Sequence, residues 1–183
     1  MGSVMQVNLP QKLVVMGVSG CGKTTVGKAL AARLGADFHD GDDLHPVENL
    51  RKMSQGIPLT DEDRWPWLTR VGEALNGGGA RVVACSALKR RYRDHIRQAS
   101  DGVVTFIHLV GEQAVIAVRM QARAGHFMPP TLLYSQFAAL EPPGPDEGAV
   151  TVTIDHAPEA VVDAIAARLR GQARRAKGLR QLS

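Results

Sequence analysis

The chain has 183 residues, 44% of them hydrophobic and 22% charged, which fits one domain built on a single sizeable core. No apolar stretch approaches the roughly 20 residues of a membrane-spanning helix, and two cysteines without a secretory signal exclude a disulfide scaffold and point to a reducing cytoplasm. The formal charge of +4 comes from one end: residues 168–183 carry six basic side chains and no acid, so the remainder sums to −2, which argues against a nucleic-acid-binding body.

Residues 1–11 read as a flexible N-terminus. Lys12 to Met16 is a Val-rich run that predicts a strand, followed by a glycine-rich turn and a helix over Thr24 to Leu34. Ala36 to Asp40 predicts a second strand. Helical patterns follow at Pro46 to Ser54 and Asp61 to Asn76; Thr60 with Asp63 opens the latter as a capping box, and Asn76 to Gly79 stops it.

A third strand is expected over Ala80 to Ser86, a helix over Lys89 to Gln98, a fourth strand over Val103 to Val110 and a helix over Glu112 to Ala124. Gly, Pro and polar residues mark two mobile loops, Gly125 to Pro130 and Glu141 to Gly148, on either side of a helix over Thr131 to Leu140. Ala149 to Asp155 closes the set of five strands, and Pro158 to Leu169 is the last helix. The basic residues 172–183 read as a solvated, partly disordered tail. Alternating strands and helices with non-alternating apolar strands imply an α/β fold of three layers, a five-stranded parallel sheet flanked by helices, occupying residues 12–171.

The opening turn, Gly17-Val-Ser-Gly-Cys-Gly-Lys-Thr24, satisfies G-x-x-x-x-G-K-[ST] between a strand and a helix, where that motif must sit. Such a loop aims successive backbone N–H groups into one concavity at a helix N-terminus, with Lys23 reaching the β- and γ-phosphates and Thr24 Oγ1 on Mg²⁺. Gly17, Ser19, Gly20, Cys21, Gly22, Lys23, Thr24 and Thr25 are therefore expected to bind ATP. No N-K-x-D guanine motif occurs.

Two strands end on an acid, at Asp40 and at Asp155. Chain order favours Asp40, because the strand after the first helix commonly neighbours the first strand, whereas an acid on the last strand would shape the base end of the nucleotide or cap the next helix. Asp40 and Asp42 form a D-x-D pair leading into a loop: one acid suits Mg²⁺ and the other, Asp42, an acceptor hydroxyl. Lys52 and Arg64 lie downstream, where an anionic substrate would need a cation, with surface ion pairing as the alternative. Of the two tryptophans nearby, Trp65 and Trp67, one is expected in the core.

Ser86 closes the third strand, and Lys89 and Arg93, four apart, share a helix face that would serve the acceptor's polar groups, with plain solubilisation of the helix as the alternative. Arg119 and Arg123 lead into Gly125 and His126, an arrangement that suits a lid, about residues 123–130, closing over the phosphates.

With these residues in view, the chain resembles the gluconate kinases, relatives of shikimate and nucleoside monophosphate kinases. The likeness rests on GVSGCGKTT, on DGDDLHPxxNxxKMxxGxPLxDxDRxPWL from Asp40 to Leu68, on CSALKRRYRD from Cys85 to Asp94, and on GHFMPPxLLxSQFxxLEPP from Gly125 to Pro143. The resemblance implies transfer of the ATP γ-phosphate to the 6-hydroxyl of D-gluconate with Mg²⁺, and a cytoplasmic homodimer. By position it makes Asp42 the base, Asp40 with Thr24 the metal side, and Lys23 and Arg123 the catalytic cations, with Arg119 behind them. Asp42, His45, Lys52, Arg64, Ser86, Lys89, Arg93 and His126 become sugar-acid contacts. An open-chain polyol acid needs cations and hydroxyl-binding groups rather than an aromatic slot, and this set supplies them.

Overall fold

Five short apolar runs pair side by side as β1 (Lys12–Met16), β2 (Asp37–Asp40), β3 (Arg81–Ala84), β4 (Thr105–Val110) and β5 (Val150–Thr153), in the spatial order β2-β3-β1-β4-β5 and all parallel. The structure is a computed structural model, and it describes residues 9–122 and 130–180. Parallel neighbours need crossovers, supplied by α1 (Lys23–Leu34), α2 (Val47–Ser54), α3 (Asp61–Ala74), α4 (Arg90–Ala99), α5 (Gln113–Gln121), α6 (Pro130–Ala139) and α7 (Pro158–Arg180). Among the described residues, no helix is long and apolar enough to cross a membrane.

The pleat divides β1 between two cores. Leu13 and Val15 pack with Leu30, Ile107, Leu109, Ile165 and Leu169 on the side of α1 and α7; Val14 and Met16 pack with Leu68, Val83, Ile96 and Phe106 on the side of α3 and α4. Both faces are dry, as the non-alternating strand sequences require. Trp67 is the core tryptophan, while Trp65 is half-buried.

Two expectations change. β2 does not neighbour β1: β3 lies between them, so Asp40 reaches the phosphate loop from two strands away. The C-terminal residues also differ, because α7 continues unbroken through Arg180 instead of ending at Leu169. Ala, Arg, Leu, Lys and Gln are the better helix formers, and a run rich in them extends a helix already nucleated by packing.

Arg93 is fully buried with Glu147, their carboxylate–guanidinium fork closing at 2.7 Å on both sides. Arg97 adds a third contact at 3.1 Å. The Arg93 hydrogen bonds pull the Glu147 carboxyl down to about 2, although burial opposes them. On β4, His108 is buried, its Nδ1 is without a partner, and burial together with the Arg93 charge lowers it to about 4.

Both folded-state values lie below the ordinary ones of 6.5 and 4.5, so both groups favour the folded chain at neutral pH and lose that contribution in acid. His108 acts first, between pH 6.5 and about 4, and Glu147 follows from about 4.5 down to about 2. Stability should fall on the order of 2 kcal/mol from pH 7.5 to pH 5, measured by urea unfolding. His108→Leu should flatten that segment of the profile; an unchanged slope would show that another group carries it.

Candidate active site

The phosphate loop is shaped at its helix end by Gly22, which caps α1 in the left-handed region at φ 94° and supplies no side-chain cap. The first N–H groups of α1 therefore face outward, where the helix dipole favours an anion. Lys23 Nζ donates to Val18 O at 3.0 Å, which holds the ammonium over its own loop.

Asp40 joins this loop to the next. Its Oδ2 accepts from Thr24 Oγ1 at 2.8 Å and its Oδ1 accepts from the Asp42 N–H at 3.1 Å, which caps a short 3₁₀ turn over Gly41–Leu44. That turn is pressed against the end of β3: a Cβ on Gly41 would stand 2.3 Å from Ala84 O, so only glycine fits. From the other side Trp67 Nε1 donates to Gly41 O at 2.6 Å, and its ring stacks on His45 at 4.2 Å. The Asp42 side chain is left exposed.

These charges share one end of the sheet. The buried Cys85 thiol after β3 is pushed up to about 12 by burial, and Lys23, Asp42 and Asp40 all act on it electrostatically. His45 is lowered by burial, with Asp42 opposing and Arg64 reinforcing the shift. Ser86 O accepts the Gly17 N–H at 3.3 Å and ties the loop after β3 to the phosphate loop.

The expected cations divide into two groups. Arg64 and Lys89 converge on Asp61, at 3.5 and 4.0 Å, where Arg91 and the Tyr92 hydroxyl also meet the same carboxylate. The Tyr92 hydrogen bond first, then Lys89, Arg91 and Arg64, hold the Asp61 carboxyl below its ordinary range. Three cations around one carboxylate leave a local excess of positive charge, suited to an anion.

Lys52 is occupied differently. It pairs with both oxygens of Asp63 at 2.7 and 2.8 Å, and Asp63 also closes the α3 capping box with Thr60. His45 is buried, and its Nδ1 meets Asn49 Nδ2 at 3.3 Å.

Arg93 requires a correction. It does not face the acceptor with Lys89; it is fully buried, and besides Glu147 its Nη1 donates to the carbonyls of Ala87, Leu88 and Glu141 at 3.2, 3.2 and 3.0 Å, so its guanidinium is committed to the protein's own groups. Ala87 stands at φ 43°, the one non-glycine residue among those described with a positive value, and Arg93 grips its carbonyl. The guanidinium is thus the inner brace of the loop that carries Ser86 and Lys89.

Beside the phosphate loop a cleft of about 270 Å³ is lined by Gly20 to Gly22, Thr25, Arg119, Ile154, His156 and Pro158. Arg119 Nη2 donates to Ile154 O at 2.8 Å and so bridges α5 to the end of β5. The mixed apolar and planar lining suits a nucleobase. Asp155 is exposed between two lining residues, Ile154 and His156. Arg123, His126 and the proposed lid fall outside the described residues, except that Pro130 begins α6.

Asp61 and the cleft residues Ile154, His156 and Pro158 escaped sequence reasoning. Asp61 at the start of a helix reads as ordinary dipole compensation, and only its three tertiary partners, Lys89, Arg91 and Tyr92, mark it.

Residues 19–132 match the family described as Shikimate kinase. The chain is 51% identical over 151 residues to the thermosensitive gluconokinase of Escherichia coli (strain K12), covering 80% of each chain. It is 49% identical to the gluconokinase of Gluconobacter oxydans (strain 621H), covering 84% of this chain and 88% of that one. A crystal structure of a gluconokinase from Sinorhizobium meliloti 1021 superposes with a TM-score of 0.83 at 48% identity, covering 96% and 99%.

Proposed function

The chain belongs to the gluconokinase family of P-loop kinases, and from that premise we propose that it transfers the γ-phosphate of ATP to the 6-hydroxyl of D-gluconate, giving 6-phospho-D-gluconate and ADP. The observation that supports this chemistry is the Thr24–Asp40–Asp42 link, which ties the turn carrying the exposed Asp42 side chain to the first turn of α1. Phosphoryl transfer asks of a protein mainly alignment and charge neutralisation, and a loop, a lysine and a carboxylate supply both.

In this reading the α1 N-terminus and Lys23 hold the triphosphate, while Arg119 and the cleft beside it take the base. Asp42 accepts the proton of the 6-hydroxyl as the oxygen attacks phosphorus. Arg64 and Lys89, steadied by Asp61, receive the sugar-acid carboxylate, and Ser86 a hydroxyl. Lys52 and His45 act one step back, by fixing the start of α3 and the turn that carries Asp42.

Mg²⁺ fits the residues present. Thr24 Oγ1 and the Asp40 carboxylate are hard oxygen donors 2.8 Å apart, and among the described residues no cluster of three or more His, Cys, Asp or Glu side chains forms a closed metal cage. Mg²⁺ favours such a site, with few protein ligands and the rest from water and phosphate. Bound there, it would neutralise charge on the β- and γ-phosphates.

Steady-state phosphorylation across D-gluconate, shikimate and nucleoside monophosphates tests the assignment. D-gluconate should exceed every other acceptor in kcat/KM by at least about a hundredfold, because a site built of charged donors rejects partners that leave them unpaired. Equal rates across the panel would contradict it.

A further inference from the structure

Helix α6 touches the phosphate loop through one polar side chain. Gln136 accepts the Ser19 N–H through Oε1 at 2.7 Å and donates Nε2 to Ser19 Oγ at 2.9 Å, so both ends of the carboxamide engage a residue 117 positions away. Both residues are half-buried. A bidentate amide fixes the orientation of its partner as well as its distance.

Ser19 occupies a particular place in the loop. Lys23 Nζ is bonded to the carbonyl of Val18, the peptide that immediately precedes Ser19. The lysine of such a loop serves the β- and γ-phosphates, so Ser19 lies at the outer end of the cradle, away from the α1 N-terminus that takes the inner ones. Its N–H is already engaged by Gln136. A hydroxyl has one proton and two lone pairs; with one lone pair taken by Gln136 Nε2, the proton is directed elsewhere.

We propose that Gln136 is a positioning residue for the γ-phosphate: it turns Ser19 so that the Ser19 hydroxyl, and not the Ser19 N–H, donates to the outermost phosphate. The amide is neutral, so it orients this donor without adding charge of its own. The inference rests on the nucleotide-site reading and is independent of which alcohol accepts the phosphate. It also gives a role to a glutamine in a mostly apolar helix, where its carboxamide meets the loop.

Binding of ADP and of a non-hydrolysable ATP analogue, measured calorimetrically with Mg²⁺ and without any sugar acid, tests it. Gln136→Glu keeps the shape but turns the donor into an acceptor, which draws the Ser19 proton to itself and places a negative charge beside the phosphate. Affinity for the ATP analogue should fall about ten- to hundredfold, while that for ADP stays within about threefold.

Gln136→Met, which has neither donor nor acceptor of comparable strength, should show a smaller loss of the same selectivity. Ser19→Ala should reproduce the loss, and adding Gln136→Glu to Ser19→Ala should cost less than the product of the two single effects. A thermal midpoint within about two degrees of the parent shows that packing is intact. Equal losses for both nucleotides, or unchanged affinity for the ATP analogue in Gln136→Glu, would overturn the proposal while leaving the acceptor assignment untouched.

Discussion

Asp42→Asn is expected to lower kcat by about two to four orders of magnitude, the usual worth of a positioned base, while nucleotide affinity changes little. Asparagine keeps the size of the side chain and leaves the Asp42 N–H on Asp40 Oδ1, so the 3₁₀ turn and the Thr24–Asp40 link should survive. What disappears is an acceptor for the proton of the attacking hydroxyl. Stopped-flow or coupled-assay turnover, compared with nucleotide binding on the same preparation, separates loss of chemistry from loss of the site. Turnover within tenfold of the parent would move the proton to another group.

Arg93→Ala should cost about 3–5 kcal/mol of folding stability, enough to leave a marginally stable domain partly unfolded. The loss is large because the substitution removes the two-pronged partner of Glu147, whose side chain is only 1% exposed, and leaves that buried carboxylate with only the longer Arg97 contact and the Gly144 N–H. It also frees the carbonyls of Ala87, Leu88 and Glu141. Arg93→Lys should recover only part of the loss, since one ammonium cannot close a fork on the carboxylate and also serve three carbonyls. Arg93→Ala/Glu147→Leu, which removes both charges, should be more stable than Arg93→Ala alone in urea unfolding. If the single variant is as stable as the parent, the brace assigned to Arg93 is wrong.

That brace marks where sequence reasoning stopped. Lys89 and Arg93 are one helical turn apart, and spacing alone places them together; what separates them is Glu147, 54 residues further on, with nothing local to announce it. The same holds for Gln136, an amide in a mostly apolar helix, whose meaning lies in a contact with Ser19.

By contrast, the phosphate loop was legible because all its requirements are local: a strand, positive-φ glycines, a lysine and a helix start lie within about a dozen residues. The three central strands, β1, β3 and β4, were legible because burial on both faces leaves nearly continuous apolar runs, whereas the edge strands β2 and β5 are more polar. The spatial order of all five was less so. Adjacency in sequence suggested β2 beside β1, yet β3 takes that place, because connection length does not fix which parallel neighbour a strand selects. The basic end of α7 was read from its charge as a tail, when its propensities already supported a longer helix.

In the proposed reaction the carboxylate of Asp42 meets the terminal alcohol of the sugar acid in front of the outermost phosphate. A crystal structure of the protein with D-gluconate, Mg²⁺ and a non-hydrolysable ATP analogue would show this contact. The 6-hydroxyl is expected within hydrogen-bond distance of the Asp42 carboxylate and in line with the γ-phosphorus, with the substrate carboxylate facing Arg64 and Lys89. A sugar acid lodged at another edge of the sheet, or an Asp42 side chain turned away from the alcohol, would contradict it.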